Sequence, residues 1–323
     1  MLKNKKVTSK VAAQKLETTP VKKRLSDTKV QIFYDKAKIE DAIFQHSIFC
    51  HTFFPYRNLG DDVREWRREQ GDLKLVVSGG NYLNPQTQNF EFAGIPYGTK
   101  SRLILMYLNT NAIQNQSNVV DVSKTMSRFV KDLGLTVQGN TIKEVKEQLI
   151  RVASSKIDLG TFETVDNVTH SAHVRLQLVR KVDDWFSNDG KQSFLWDTSM
   201  ELSTDYFESL MKHAIPLDNR AIGALSHNAM ALDIYAWLTQ RLHRIAPTKP
   251  VFVSWQSLKD QFGQGYNRAN NFKQAFRLSL RIAKIEYLDA RVEEDLNKGF
   301  YLYHSPSPIP QKTFLINPLG LNK

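Results

Sequence analysis

A single cysteine, Cys50, occurs in the 323-residue sequence, so no intramolecular disulfide framework can form, and a reducing compartment, the cytoplasm, is expected. No apolar run comes near the ~18 residues that a membrane span needs, and no apolar signal-peptide core follows the basic start. The sequence therefore reads as a soluble, internal chain with no membrane partner. Acidic residues are in deficit: 33 Asp and Glu stand against 44 Lys and Arg, a formal net charge of +11. Such a balance favours an acidic partner, either nucleic acid or an anionic membrane surface, and nucleic acid is the one expected.

Three apparent sites each lack what would complete them. Gly94-x-x-x-Gly98-Thr-Lys100-Ser101 looks like a phosphate-binding loop, but Thr99 stands where a glycine must precede the lysine, and Pro96 removes an amide donor. A helix start with a structural turn is the reading there. His46, Cys50 and His51 lie close in sequence, yet no second cluster supplies four zinc ligands, so no metal is expected. His170-Ser-Ala-His173 matches the paired histidines of rolling-circle nucleases in number but not in spacing. The expectation is a protein with no catalytic residues, no cofactor and no enzymatic activity.

What is present begins with charge. Residues 1–30 hold nine Lys or Arg against Glu17 and Asp27 and few large apolar residues, which predicts a flexible, disordered basic tail. The remaining length exceeds one core of ~150 residues, so two domains are expected. The most informative stretch is Pro250 to His304. Val251 to Val253 reads as a strand, Ser254 as an N-cap, Trp255 to Phe262 as a short helix stopped by Gly263, and Asn267 to Glu286 as a long helix. Tyr287 to Val292 and Phe300 to Tyr303 read as two strands joined by a turn over 293–299. Strand, helix, turn, helix and two-stranded wing is the order of a winged helix, whose second helix enters the DNA major groove.

At about 100° per residue, Asn270, Lys273, Gln274, Arg277, Arg281 and Lys284 share one arc of about 100°, opposite Phe272, Ala275, Phe276, Ile282 and Ala283. The arc holds four cations, two amides and no carboxylate, whereas an ordinary solvated face mixes both signs. These side chains suit phosphates and the edges of G and A. With Asn267 and Arg268 at the helix start, they are the candidate DNA-binding residues.

The same order of elements is expected about 130 residues earlier: Val120-Asp-Val-Ser123 aligns with Val251-Phe-Val-Ser254, and Tyr107-Leu108 with Trp237-Leu238. Here Ser123 is the expected N-cap of a helix over 124–133. A second helix spans Thr141 to Ala153, and strands follow at Ile157 to Glu163 and Val174 to Val179. Lys143, Glu144, Lys146, Glu147 and Arg151 form its expected outward face, a mixed set that suits protein contact or phosphate backbone better than base reading. Between the two units lie a strand near Phe194 to Leu202, an Asp205-x-x-Glu208 capping box and a helix over 226–245 with a Met230, Ile234, Leu238, Leu242 stripe. Upstream, Lys36 to Cys50 has partly helical spacing, Leu73 to Val77 alternates as a strand, Asn81 to Asn89 reads as a loop, and Gly98 opens a helix.

Several patterns resemble the RepA-type plasmid replication initiators: Phe54-Pro55-Tyr56-Arg57, Trp66-x-Arg68-x-x-Gly71, Gly94-Ile95-Pro96-Tyr97-Gly98 followed by Arg102, and Leu133-Gly134. The resemblance covers about residues 50–305. Gln70-Gly71 departs from the family's usual Asn-Gly, at a position that touches only a turn. The resemblance implies binding to repeated duplex sites at a plasmid origin, recruitment of the host initiator and replicative helicase, and a dimeric form alongside monomers on the repeats.

The resulting expectation is an α+β chain of tandem winged-helix domains. Its parts are a tail at 1–30, an association and backbone-contact domain at 31–200, a sequence-reading domain at 201–305 and a C-terminal tail at 306–323. The alternatives are a winged-helix transcriptional regulator and an origin-nicking enzyme.

Overall fold

The structure, a computed structural model, describes residues 20–51, 54–70, 73–84, 86–123, 125–165, 168–183, 198–296 and 298–309. It mixes helices with small sheets, as the α+β reading expects. In chain order come α1 (Pro20–Tyr34), β1 (Ala42–His46), the single-turn α2 (Ile48–His51), β2 (Glu65–Gln70), β3 (Leu73–Ser78), the hairpin of β4 (Asn81–Asn84) and β5 (Asn89–Phe92), and α3 (Gly98–Asn115). Next are β6 (Val119–Val122), α4 (Met126–Asp132), α5 (Gly139–Ser154), β7 (Lys156–Val165), β8 (Val168–Gln177), β9 (Val179–Asp183) and β10 (Thr198–Leu202). The second half holds α6 (Thr204–His213), β11 (Ala214–Asp218), α7 (Asn219–Leu225), α8 (Ala229–Leu242), β12 (Val251–Ser254), α9 (Trp255–Phe262), α10 (Ala269–Glu286), β13 (Val292–Asp295) and β14 (Gly299–Leu302).

The repeated order is present in the topology. In the second unit the sheet runs β12-β14-β13, with the last strand central; in the first it runs β6-β10-β9, again with the last strand central. The strands expected to close the first unit behave differently. β7 and β8 pair with each other and, through β3, extend β2–β3 into a four-stranded sheet. Trp66, Val77, Ile157 and Leu176 stand in one row across that sheet, all buried, and this shared apolar face decides the pairing. β9 and β10 take the closing role instead, so the strand near 202 is the centre of the first unit's sheet rather than part of a connector.

Other expectations shift for local reasons. Residues 20–30, expected to be disordered, lie in α1: Val21, Leu25, Thr28 and Ile32 recur at helical spacing, and the helix packs on α7 and α10 with Leu25 and Thr28 buried. The cations of this segment hide that stripe from any count of charge. Residues 1–19 and 310–323 lie outside the described residues. The 42–46 stretch is a strand paired antiparallel with β11, and 81–92 is a hairpin. Thr125 rather than Ser123 caps α4, its Oγ1 accepting from the Arg128 amide at 3.2 Å. Ser203 rather than Asp205 caps α6. β13 starts at Val292, later than expected, because the preceding residues turn inward and Tyr287 is buried, its hydroxyl donating to the Pro306 carbonyl at 2.8 Å.

His46, Cys50 and His51 are packing residues. The His46 ring bonds Ser209 Oγ at 2.9 Å and accepts from the Ile48 amide, and burial lowers both histidines to about 4. Among the described residues no three His, Cys, Asp or Glu are grouped to hold a metal, and no helix is long and apolar enough to cross a membrane.

One hydrophobic core runs through both halves. The expected boundary between 200 and 201 falls inside β10, and the β1–β11 pair spans it.

Candidate nucleic-acid interface

The second unit is built around aromatic rings. Ser254 caps α9 with its Oγ accepting from the Ser257 amide at 3.1 Å, which places Trp255 at the first helical position. Trp255 meets Phe272, Phe276 and Phe300 at centroid separations of 6.2, 5.8 and 5.1 Å, and Phe262 packs on Phe276 at 5.4 Å. Gly265, with φ of +90°, supplies the left-handed turn between the helices. These contacts bury Phe272, Phe276, Leu280 and Ala283 of α10 and so fix which arc of the helix faces outward.

That arc is the one expected from the wheel. Asn267, Arg268, Asn270, Gln274 and Arg281 are exposed, while Lys273, Arg277 and Lys284 are half-buried. The three half-buried cations are engaged within the unit. The Lys273 ammonium and the Arg277 guanidinium lie 5.1 and 4.9 Å from the Trp255 ring centroid. Arg277 donates from Nε and Nη2 to Glu294 Oε1 of β13, at 2.8 and 2.6 Å. Lys284 Nζ donates to the Val292 carbonyl at 3.2 Å, and Arg281 Nε to the Arg277 carbonyl at 3.4 Å. Sequence reasoning missed Glu294 and Trp255 as partners. The signal was the run Glu293-Glu-Asp295 directly after a helix whose outward face holds cations and amides, three carboxylates on the strand flanking the basic arc.

α5, the corresponding helix of the first unit, differs. Lys143 and Glu144 are outward, with Glu144 paired to Lys100, but Arg151, expected outward, is buried. Its Nη1 donates to the Ile95 carbonyl at 3.1 Å, its Nη2 pairs with Glu147 at 2.9 Å, and the guanidinium lies 5.2 Å from the Tyr97 ring centroid. A helical wheel places Arg151 beside Glu147 but cannot see the Gly94 to Gly98 loop that folds over them.

Five of the residues that carry the resemblance, Phe54, Tyr56, Arg68, Gly98 and Arg102, meet at one interior point. Arg102 of α3 forms a two-pronged pair with Asp233 of α8, Nε to Oδ1 and Nη2 to Oδ2 both at 2.7 Å, with both side chains almost fully buried. Its remaining donors reach the carbonyls of Phe54 and Gly98, each at 2.6 Å, and the guanidinium lies 5.2 Å from the Tyr56 ring centroid. Arg68 is buried nearby and donates to the Asp260 carbonyl of α9 at 3.0 Å. Burial pushes the Asp233 carboxyl upward, and Arg102 opposes this by favouring the ionised form. A lone carboxylate inside the apolar α8 was the available signal. This hub ties the helix that leads into the first unit to the helix that leads into the second.

Comparison with known proteins accords with these motifs. A family model described as plasmid-encoded RepA protein matches residues 95–257, half of the chain. The protein belongs to this family of RepA-type plasmid replication initiators. Two crystal structures of RctB domains 2 and 3, one of them a selenomethionine derivative, are similar over 79% of this chain and 94% of theirs, at 11% identity and TM-scores of 0.49 and 0.48. No curated protein matches the chain.

Proposed function

We propose that this initiator binds repeated duplex sites at its plasmid origin through α10, with each unit working as a winged helix and the second one reading sequence. The observation that carries the reading is the outward face of α10 together with the two residues that lead into it: Asn267, Arg268, Asn270, Gln274 and Arg281 are exposed, with no carboxylate among them, on a helix held by a packed aromatic core. The first unit serves self-association and phosphate contact, since α5 spends Arg151 on its own fold. Recruitment of the host initiator and replicative helicase in the cytoplasm completes the proposal, and the protein acts without catalysis.

Footprinting on the parent replicon tests the reading. Protected, evenly spaced direct repeats beside an AT-rich segment support it, whereas one isolated palindrome near a promoter favours a transcriptional regulator. Incubating supercoiled origin DNA with the protein and a divalent metal should leave no covalent tyrosyl adduct; an adduct would establish a nicking enzyme instead.

A further inference from the structure

We infer that Glu294 is a positioning residue for sequence reading: it clamps one edge of Arg277 against Trp255, so that the guanidinium meets DNA with its other edge and selects a single guanine. The inference rests on α10 being the reader. A guanidinium carries five N–H donors arranged as two usable forks, one formed by Nε and Nη2, the other by Nη1 and Nη2. In this structure the first fork is fully spent, because both Nε and Nη2 donate to the same oxygen, Oε1 of Glu294, at 2.8 and 2.6 Å. Among the described residues, no hydrogen bond from Nη1 accompanies them. The end-on fork therefore remains, with the spacing that matches O6 and N7 of guanine in the major groove.

Two further observations make this a device for presentation. The Arg277 side chain is 35% exposed and that of Glu294 24%, so the pair sits at the surface with one edge covered and one open. The Trp255 ring, centred 4.9 Å from the guanidinium carbon, supplies a flat support that is itself fixed by Phe272, Phe276 and Phe300. An unsupported arginine samples many rotamers and seeks the nearest phosphate, whereas a clamped one has lost that freedom before DNA arrives. Specificity improves because the wrong base then meets a fork that cannot move away. Glu293, one residue earlier, provides an internal contrast: it is exposed and accepts from the Tyr303 hydroxyl at 2.9 Å, away from α10.

The test uses full-length protein and a duplex selected by the wild type from a randomised library, with a scrambled duplex of equal length as the non-specific probe. Glu294→Gln should lower the ratio of specific to non-specific affinity about tenfold, the size of one good base contact. Preference should relax at one guanine only, the same one that Arg277→Ala relaxes. Non-specific affinity should hold or rise slightly, because a carboxylate near the phosphates has gone. Glu293→Gln makes the same charge change without touching Arg277 and should leave the ratio unchanged. Glu294→Asp keeps the charge with a shorter reach and should give an intermediate loss, which also serves if the amide variant folds poorly. In an Arg277→Ala background, Glu294→Gln should lower the ratio no further.

A ratio that stays level or rises in Glu294→Gln overturns the inference, as do fully additive losses in the double variant. Either would make Glu294 a bystander or a guard that DNA must displace. Failure of the underlying reading looks different: selection yields no preferred duplex, or Arg277→Ala itself leaves the ratio unchanged, and the inference then falls with it.

Discussion

α5 and α10 follow a strand and a short helix in the same order, and each carries an arginine beside a carboxylate and over an aromatic ring, yet the two helices have opposite relations to solvent. Arg151 is turned inward, bonded to the Ile95 carbonyl and Glu147 beneath the Gly94 to Gly98 loop, with its side chain 7% exposed. Arg277 is turned outward against the sheet's edge strand, with its side chain 35% exposed. The carboxylate and ring that make one arginine a structural tie leave the other with an open edge. The difference lies in what covers the helix: a loop rich in backbone acceptors in the first unit, and solvent in the second. An arginine with partners is thus no evidence against a binding role until its uncommitted donors have been identified.

The largest effect that would sharpen this comparison lies beneath both helices. Asp233→Ala leaves Arg102 buried without its counter-ion and should destabilise the protein by about 3–5 kcal/mol. Thermal or urea unfolding measures it, and because one core runs through both halves, the two units should lose structure together. Separate transitions, with the second unit unaffected, would show that the hub does not couple them.

The two arginines themselves should give crossed signatures. Arg151→Ala removes a buried donor to a carbonyl and should cost stability by about 1–3 kcal/mol with little selective effect on DNA preference. Arg277→Ala should change stability by less than ~1 kcal/mol, because the pair lies at the surface, where solvent screens it. Its cost should appear at a specific duplex instead, at about 1–3 kcal/mol of affinity. If both variants behave alike in unfolding and in binding, the contrast between the helices is wrong.

A smaller effect concerns pH where α1 covers the end of α10. Both carboxylate oxygens of Glu286 are buried without a hydrogen-bond partner, and burial, with Asp218 nearby, raises its pKa from 4.5 to about 8. The folded chain therefore keeps a proton up to about pH 8 that the unfolded chain releases near 4.5. Stability contributed at this site is whole below the lower value and is lost as pH rises toward the upper one. Glu286→Gln should flatten that slope in melting experiments between pH 5 and 8. A wild-type melting temperature that rises across the same interval, with no change in the variant, would contradict the assignment.

The smallest expected change is at Lys284, whose ammonium is already bonded to the Val292 carbonyl. Lys284→Ala should weaken every duplex alike and lower the slope of log affinity against log salt by at most about 0.9, the value for one phosphate contact. Loss of preference at a particular base pair would move Lys284 into the reading set.

The sequence alone determined the elements whose signal is local. The α10 arc, the Ser254 cap, the Gly265 turn and the strand at Val251 could be read because periodicity and caps act within about a dozen residues. The family was legible for a similar reason, through short motifs at fixed spacing. The tertiary structure alone decided which elements meet. Alternation marked β7 and β8 as strands without saying that they would join β2–β3, since many apolar edges compete for each strand and only the assembled core selects among them. The strongly basic look of residues 20–30 concealed a helix because its four inward positions matter only once α7 and α10 are in place to cover them. Arg102 and Asp233 lie in separate halves of the sequence, and no local pattern couples an arginine to a carboxylate at that distance. Burial made them partners, because neither charge can remain inside the core without the other.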